Sequence, residues 1–320
     1  MNRIGAHVSI AGGVQTAPER AVELEATALG MFTKNQRQWN AKPLEDEDVT
    51  AFRTALERSG ISQEHVVIHA SYLINVGNPD PAKRRKSIDA LLDECVRAEQ
   101  LGLTLVNFHP GSGMGEVSED ETLTLIADAC VEVLERTTSA VLVLEVTAGQ
   151  GAHVGYQFSH VSEIIARAGA HERLGVCIDS CHIFAAGYDV RTPEAYAATM
   201  DEFERTVGFE RLVGIHLNDS MTELGSRRDR HERIGAGLIG IPGLANFVRD
   251  PRLLEVPFVL ETTEPEIWKD EIALLRAIGA GATDPETAEG PWKAHEQASA
   301  RDGAAAKPGD TTSARKKKDE

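Results

Sequence analysis

Apolar runs of four to seven residues recur along the chain, each closed by a glycine, a proline or a charged residue and followed by a longer stretch with helical spacing. Strands are expected at 3–8, 29–33, 65–69, 103–109, 141–145, 176–179, 212–217 and 258–261. Between them the pattern predicts helices. Gly12-Gly13 turns into one that ends near Thr27, a second covers 46–58 and stops at Gly60, and a third runs from about Pro81 to Leu101 before Gly102. Ser118 with Glu121 reads as a capping box, Ser159 as the cap of a helix to Ala168, and Thr192-Pro193 opens a helix that Gly208 closes. A last helix is expected over 265–278. Eight strands alternating with helices suit an α/β fold, a single (β/α)8 TIM barrel, with a doubly wound sheet as the weaker alternative.

The strand ends are unusual. The third strand ends in His69, the fourth in His109, the fifth in Glu145, the sixth in Asp179, the seventh in His216 and the eighth in Glu261, spaced 34 to 45 residues apart. In a barrel all such ends meet at one mouth, where active sites sit. His182 follows Asp179 by three residues, and Asp229 and His231 form an i, i+2 pair that points the same way in extended chain. Any one of these side chains is readily explained as a satisfied polar group. Six successive strand ends are not, because clustered carboxylates and imidazoles need cations or protons between them.

Nine candidates are too many for one metal, which takes three or four protein ligands; two or three ions with a bridging carboxylate fit. Nitrogen and oxygen donors without thiolate suit zinc or manganese. Clustered ions of this kind are a device for phosphoester hydrolysis. Cys177 and Cys181 lie close by without CxxC spacing, and Cys177 reads as a small core residue.

Composition adds limits. The chain has 320 residues, 42% of them hydrophobic, and a net charge of −17. The charge argues weakly against nucleic acid, since a local positive site can sit on an acidic protein. Four scattered cysteines give no disulfide framework, no apolar run reaches membrane-spanning length and the N-terminus lacks a signal-peptide core, so a cytoplasmic location is expected. Beyond Ile278 the chain turns to Ala, Gly, Asp, Thr and Lys, with six Lys/Arg and four Asp/Glu over 300–320. A barrel domain over 1–280 and a disordered tail over 281–320 are expected, with Trp292 the oddity in that tail.

Several long stretches then carry a resemblance: IGAHVSIAGG (4–13), FTKNQRQW (32–39), HASYLIN (69–75), NFHPG (107–111), the segment 143–151, the segment 175–189, HLNDS (216–220), the segment 224–240 and VLET (259–262). The chain resembles endonuclease IV, the zinc-dependent apurinic/apyrimidinic endonuclease family of DNA base excision repair. The resemblance implies three zinc ions, with manganese an option at one or more sites. His69, His109 and Glu145 would hold the first. Glu145 would bridge to a second that also takes Asp179, His216 and Glu261. His182, Asp229 and His231 would hold the third. Glu145 and Glu261 are the residues it makes catalytic. The implied activity is a metal-dependent phosphodiesterase of the deoxyribonuclease IV type. It would cut 5′ of abasic sites in double-stranded DNA, leave 3′-hydroxyl and 5′-deoxyribose phosphate ends, trim blocked 3′ ends, and act as a monomer.

The DNA rim is read from the same stretches. Lys34, Asn35, Gln36, Arg37 and Gln38 follow the second strand at the mouth, and Tyr72 sits in the loop after His69. The resemblance assigns Arg37 and Tyr72 to the gap left by a missing base, with Asn35 and Gln36 beside them. Arg227, Arg228 and Arg230 are candidate phosphate contacts. His7 reads equally as a support for a ligand or as a core residue. Two positions depart from the family: Val146 where Asn is usual, and Met221 where Lys is common. Two other readings are a sugar isomerase or epimerase, which needs neither Asp229 nor His231, and a non-catalytic binder of damaged DNA.

Overall fold

The computed structural model describes residues 2–297. Eight parallel strands form one sheet: β1 (Arg3–Ala6), β2 (Leu29–Met31), β3 (Val66–His69), β4 (Leu105–Phe108), β5 (Val141–Val146), β6 (Leu174–Asp179), β7 (Leu212–His216) and β10 (Pro257–Leu260). The order runs β1-β10-β7-β6-β5-β4-β3-β2. A bridge between His7 and Gly30, with Val8 N donating to Gly30 O at 2.9 Å, brings the two end strands together and makes this the expected TIM barrel. Closure there needs a glycine: a Cβ on Gly5 would lie 1.8 Å from the Ala28 carbonyl oxygen.

Each strand is flanked by helices whose apolar faces meet the barrel wall, and strand boundaries fall within three residues of those expected. Strand alternation sends one set of side chains outward to the helices and the other inward. Val67, Leu105, Val143, Cys177 and Val259 form a separate inner cluster, so Cys177 is a core residue as expected. Two residues further along those strands, on the same inward face, stand His69, Asn107, Glu145, Asp179 and Glu261.

Three elements were not expected. Asp179 accepts from His182 N at 2.8 Å and caps a short helix, Ser180–Ala186. A two-residue hairpin, β8 (Asp219–Ser220) with β9 (His231–Glu232), follows β7. Helix Gly240–Arg249 fills the crossover to β10, with Pro242 in its first turn, where a missing N–H costs nothing. Ser159 lies inside helix Phe158–Arg167 rather than capping it.

The boundary expected at 280/281 is not where contacts end. Residues 281–297 return along the barrel, with Pro285 and Gly290 buried and the Arg233 guanidinium 5.0 Å from the Trp292 ring. The rest of the expected tail, 298–320, lies outside the described residues. No helix among the described residues is long and apolar enough to cross a membrane.

Candidate metal centre

All nine candidate ligands meet at the C-terminal mouth of the barrel. β3, β5, β6 and β7 carry His69, Glu145, Asp179 and His216; His109 and Glu261 lie one residue past β4 and β10; His182 comes from the short helix, His231 from the hairpin and Asp229 from the loop within it. Ligating atoms of His69, His109 and Glu145 lie within 4.8 Å of one another, as do those of Asp179, His216 and Glu261, and those of His182, Asp229 and His231. Glu145 joins the groups. Its Oε2 is 3.4 Å from both His69 Nε2 and His109 Nε2, and its Oε1 is 3.1 Å from His182 Nδ1 and 3.3 Å from His216 Nδ1.

The supporting hydrogen bonds fix which imidazole nitrogen faces inward. His69 Nδ1 lies 2.7 Å from the Ala70 carbonyl, His182 Nδ1 3.2 Å from that of Val146, and His231 Nδ1 3.2 Å from that of Glu261. In the tautomer these contacts favour, each carbonyl accepts from Nδ1–H, with Glu145 Oε1 a second acceptor 3.1 Å from His182 Nδ1, and Nε2 carries the lone pair. Those three Nε2 atoms are buried with no hydrogen-bond partner. Each faces a carboxylate oxygen 3.2 to 3.4 Å away: Glu145 for His69, Asp229 for His182, and Asp179 and Asp229 for His231. A lone pair and a carboxylate at that separation repel unless a proton or a metal cation lies between them, and a cluster of imidazoles and carboxylates that all need such charge fits a metal centre.

The carboxylates are propped individually. Asn107 Nδ2 donates to Glu145. Asn218 Nδ2 donates to Asp179 at 2.7 Å while its Oδ1 accepts from Glu261 N at 2.8 Å. His7 Nδ1 is 2.7 Å from Glu261 Oε1, which places His7 as a support for that side chain. Burial pushes the Glu145 and Glu261 carboxyls up, but the surrounding imidazoles, His216 foremost, hold both well below the ordinary carboxylate range. Burial likewise works against a proton on both imidazoles, but Cys177 with Glu261 and Glu145 at His216, and Asp179 with Asp229 at His182, hold both well above the usual range. The field at the mouth favours positive charge.

Asn107 and Asn218 were missed from the sequence, although Asn218 stands inside HLNDS and Asn107 inside NFHPG. Cys181, noted beside the site from the sequence but not counted as a ligand, brings its Sγ within 4.8 Å of ligating atoms of Asp179 and His231; it donates to the Arg230 carbonyl, and burial pushes its thiol up to about 12. Val146 supplies the carbonyl that orients His182, and its side chain packs in the wall.

The rim residues divide. Asn35 and Arg37 are exposed, Gln36 is half-buried and Tyr72 is 57% exposed with its ring 5.0 Å from that of His69. Arg228 and Arg230 are exposed in the loop that carries Asp229, and Met221 is exposed near them. Lys34 does not belong to this rim: it is buried, with Nζ 2.5 Å from Asp93 and 3.5 Å from Glu94, because two carboxylates on helix Pro81–Leu101 draw it inward. The same Glu94 accepts from Thr33 Oγ1 at 2.6 Å and Ser71 N at 3.4 Å, tying the Arg37 and Tyr72 loops to one helix. His7, Phe32, Gln36, Tyr72, Glu261 and Trp268 line a cavity of 390 Å³ beside the cluster.

A family model described as a xylose isomerase-like TIM barrel matches residues 18–278, and the chain belongs to that class of barrel. Within the class the similarity is narrower. The probable endonuclease 4 of Campylobacter fetus is 48% identical over 281 residues, covering 88% of this chain and all of that protein. The crystal structure of endonuclease IV from Thermus thermophilus is 37% identical with a TM-score of 0.77, covering 87% of this chain and 99% of that one. This chain belongs to the endonuclease IV family. A D-tagatose 3-epimerase-like protein, 16% identical with a TM-score of 0.66 over 89% of this chain and all of that one, shares the fold.

Proposed function

We propose that this chain is a DNA repair endonuclease that hydrolyses the phosphodiester bond 5′ of an abasic site in double-stranded DNA. The products are a 3′-hydroxyl and a 5′-deoxyribose phosphate, and the same centre trims blocked 3′ ends. The observation that carries the reading is the convergence of nine side chains on overlapping ligand groups at one mouth, three of which together take in all nine, with three imidazole Nε2 atoms left without hydrogen-bond partners. His69 and His109 share the first group with Glu145; Asp179, His216 and Glu261 complete the second; His182, Asp229 and His231 form the third. Zinc suits this nitrogen and oxygen donor set, with manganese as the substitute. Three such ions, when bound, supply a nucleophile at neutral pH and offset charge on the attacking and leaving oxygens.

The chain's own residues do the rest. Asn107, Asn218 and His7 hold the three central carboxylates at fixed angles, so little reorganisation is needed during reaction. Tyr72 and Arg37, on loops anchored by Glu94, fill the gap where a base is missing while the damaged nucleotide turns into the mouth. Phe32 and Trp268 wall that side and exclude water. Arg228 and Arg230 meet phosphates and position the duplex on a protein whose net charge would otherwise repel it.

The test is a duplex with a single abasic site, labelled at its 5′ end. Incision on the 5′ side, leaving an end that a polymerase extends and stopping when a chelator is added, is the expected result. A metal-replete protein that binds the duplex without cutting it is a damage binder. One that leaves it uncut and interconverts ketoses is an epimerase.

A further inference from the structure

The third ligand group is the most exposed part of the centre. The Asp229 side chain is 40% exposed and His231 16%, against 0% for Glu145. Both sit on a hairpin of two residues per strand, too short to be rigid alone. Something must hold the chain that leaves it. On one side Asp219 accepts from the backbone N–H of Gly235, Gly237, Ile239 and Gly240, and Glu271 accepts from Ile234 N at 2.8 Å.

On the other side lies the C-terminal segment. From the end of helix Trp268–Gly279 the chain doubles back: Ala282 N donates to Ala277 O at 2.8 Å near the foot of the barrel, and by Gly290 it has reached Ile234 at the mouth. There Arg233, two residues past His231, is the hub. Its Nη1 lies 3.1 Å from Glu296 and 3.1 Å from Glu264, its Nε 3.1 Å from Glu232, and its guanidinium 5.0 Å from the Trp292 ring. His295 Nε2 adds a 2.9 Å contact to Asp270 at the start of the last helix. The approach is close. A Cβ on Gly290 would lie 2.3 Å from the Trp292 indole nitrogen and 2.7 Å from the Ile234 carbonyl oxygen. The family match ends at residue 278, before this segment begins.

We infer that residues 285–297 are a brace on the loop that carries Asp229 and His231, and that Trp292, through Arg233, is a positioning residue that governs how firmly the third cation is retained. The inference rests on the three-ion reading above. It commits the segment to a role in one ligand group and leaves His69, His109 and Glu145 unaffected.

The test uses the full chain loaded with zinc. Release of zinc to excess chelator is followed with a chromogenic indicator, which counts ions and resolves fast from slow ones without substrate. Gly290→Val, which wedges the segment away from Ile234, and Trp292→Ala should each speed release of one ion about 10-fold, the scale of losing a supporting group behind a ligand, while the others leave at the parent rate. Trp292→Phe, which keeps a ring under Arg233, should restore most of the slow release. Should Gly290→Val fail to fold, the Trp292→Ala and Trp292→Phe pair decides alone. Unchanged release in Trp292→Ala, or equal acceleration of every ion, overturns the brace. A parent chain that holds three ions and passes the incision test while failing this one loses the brace alone. A parent chain that holds only two loses the three-ion reading as well.

Discussion

Two layers fill the inside of this barrel, and they lie two residues apart on the same strands. The lower one, Val67, Leu105, Val143, Cys177 and Val259, is apolar and fully packed. The upper one holds His69, Asn107, Glu145, Asp179 and Glu261, and all but Glu261 are as thoroughly buried. The lower layer needs nothing beyond its neighbours, because removal from water stabilises it. In the upper layer every buried carboxylate costs free energy, and hydrogen bonds from Asn107 and Asn218 together with positive charge offset that cost. Backbone geometry is the same in both. What differs is that one layer can be completed by the chain itself and the other by cations.

Elsewhere the chain has a buried carboxylate without imidazoles around it. Glu271 accepts from Thr262 Oγ1 at 2.6 Å and from Ile234 N at 2.8 Å, and burial pushes its carboxyl up to about 7. Glu145 is just as buried and moves the other way. Neighbours, more than depth, decide the direction.

The contrast can be broken at its centre. Glu145→Gln removes the carboxylate that joins the ligand groups; incision should fall by about 10⁴ or more and the ion count should drop, because most of the rate enhancement comes from stabilising charge at the reacting phosphate. Val143→Ala, two residues below, should cost about 2 kcal/mol of stability by urea denaturation and leave the ion count alone. If both changes cost only stability, the layers do not differ in kind.

Asp229→Asn with His231→Asn probes the outer group. One zinc ion fewer by atomic emission, abasic-DNA affinity largely kept and incision slowed by roughly 10² are expected, since a group acting mainly in the transition state lowers kcat more than binding. Normal incision with full metal content would return weight to an isomerase, which has no use for this pair.

At the rim, Arg37→Ala with Tyr72→Ala should weaken binding to abasic duplex by about 2–3 kcal/mol, on the scale of base unstacking, and affect intact duplex much less. Equal losses on both would make them general contacts.

The smallest effect calibrates the comparison. Glu271 titrates near 7 in the folded chain against 4.5 for an ordinary glutamate. Folding therefore takes up a proton between those values, and stability from this group is fully present below pH 4.5 and lost as pH rises through 7. Glu271→Gln should flatten that slope, raising stability at pH 8 by about 2 kcal/mol relative to the parent and leaving pH 4 little changed. A parent chain with no such slope would place Glu271 in a wetter setting than its hydrogen bonds describe.

The barrel and the six residues at its strand ends were legible because two simple periods coincide, while His182, Asp229 and His231 were read from short linear spacings. Alternation puts every second strand residue inside, and the βα repeat returns each strand end to one face. The supports were not legible. Asn107 and Asn218 look like ordinary strand and loop residues until register sets them beside Glu145 and Asp179, and register is not written in either strand alone. Lys34 sits in a run of rim residues and turns inward only because Asp93 and Glu94 come from a helix far along the chain. Trp292 drew notice as an apolar residue in a polar stretch, but its partner Arg233 is 59 residues away in sequence and carries no mark of the pairing.

Anomalous diffraction at the zinc edge, from crystals of the full chain, counts and places the bound ions. Three peaks are expected at the barrel mouth: one among His69, His109 and Glu145, one among Glu145, Asp179, His216 and Glu261, and one among His182, Asp229 and His231. Fewer than three peaks, or a Glu145 that touches only one of them, would contradict that arrangement.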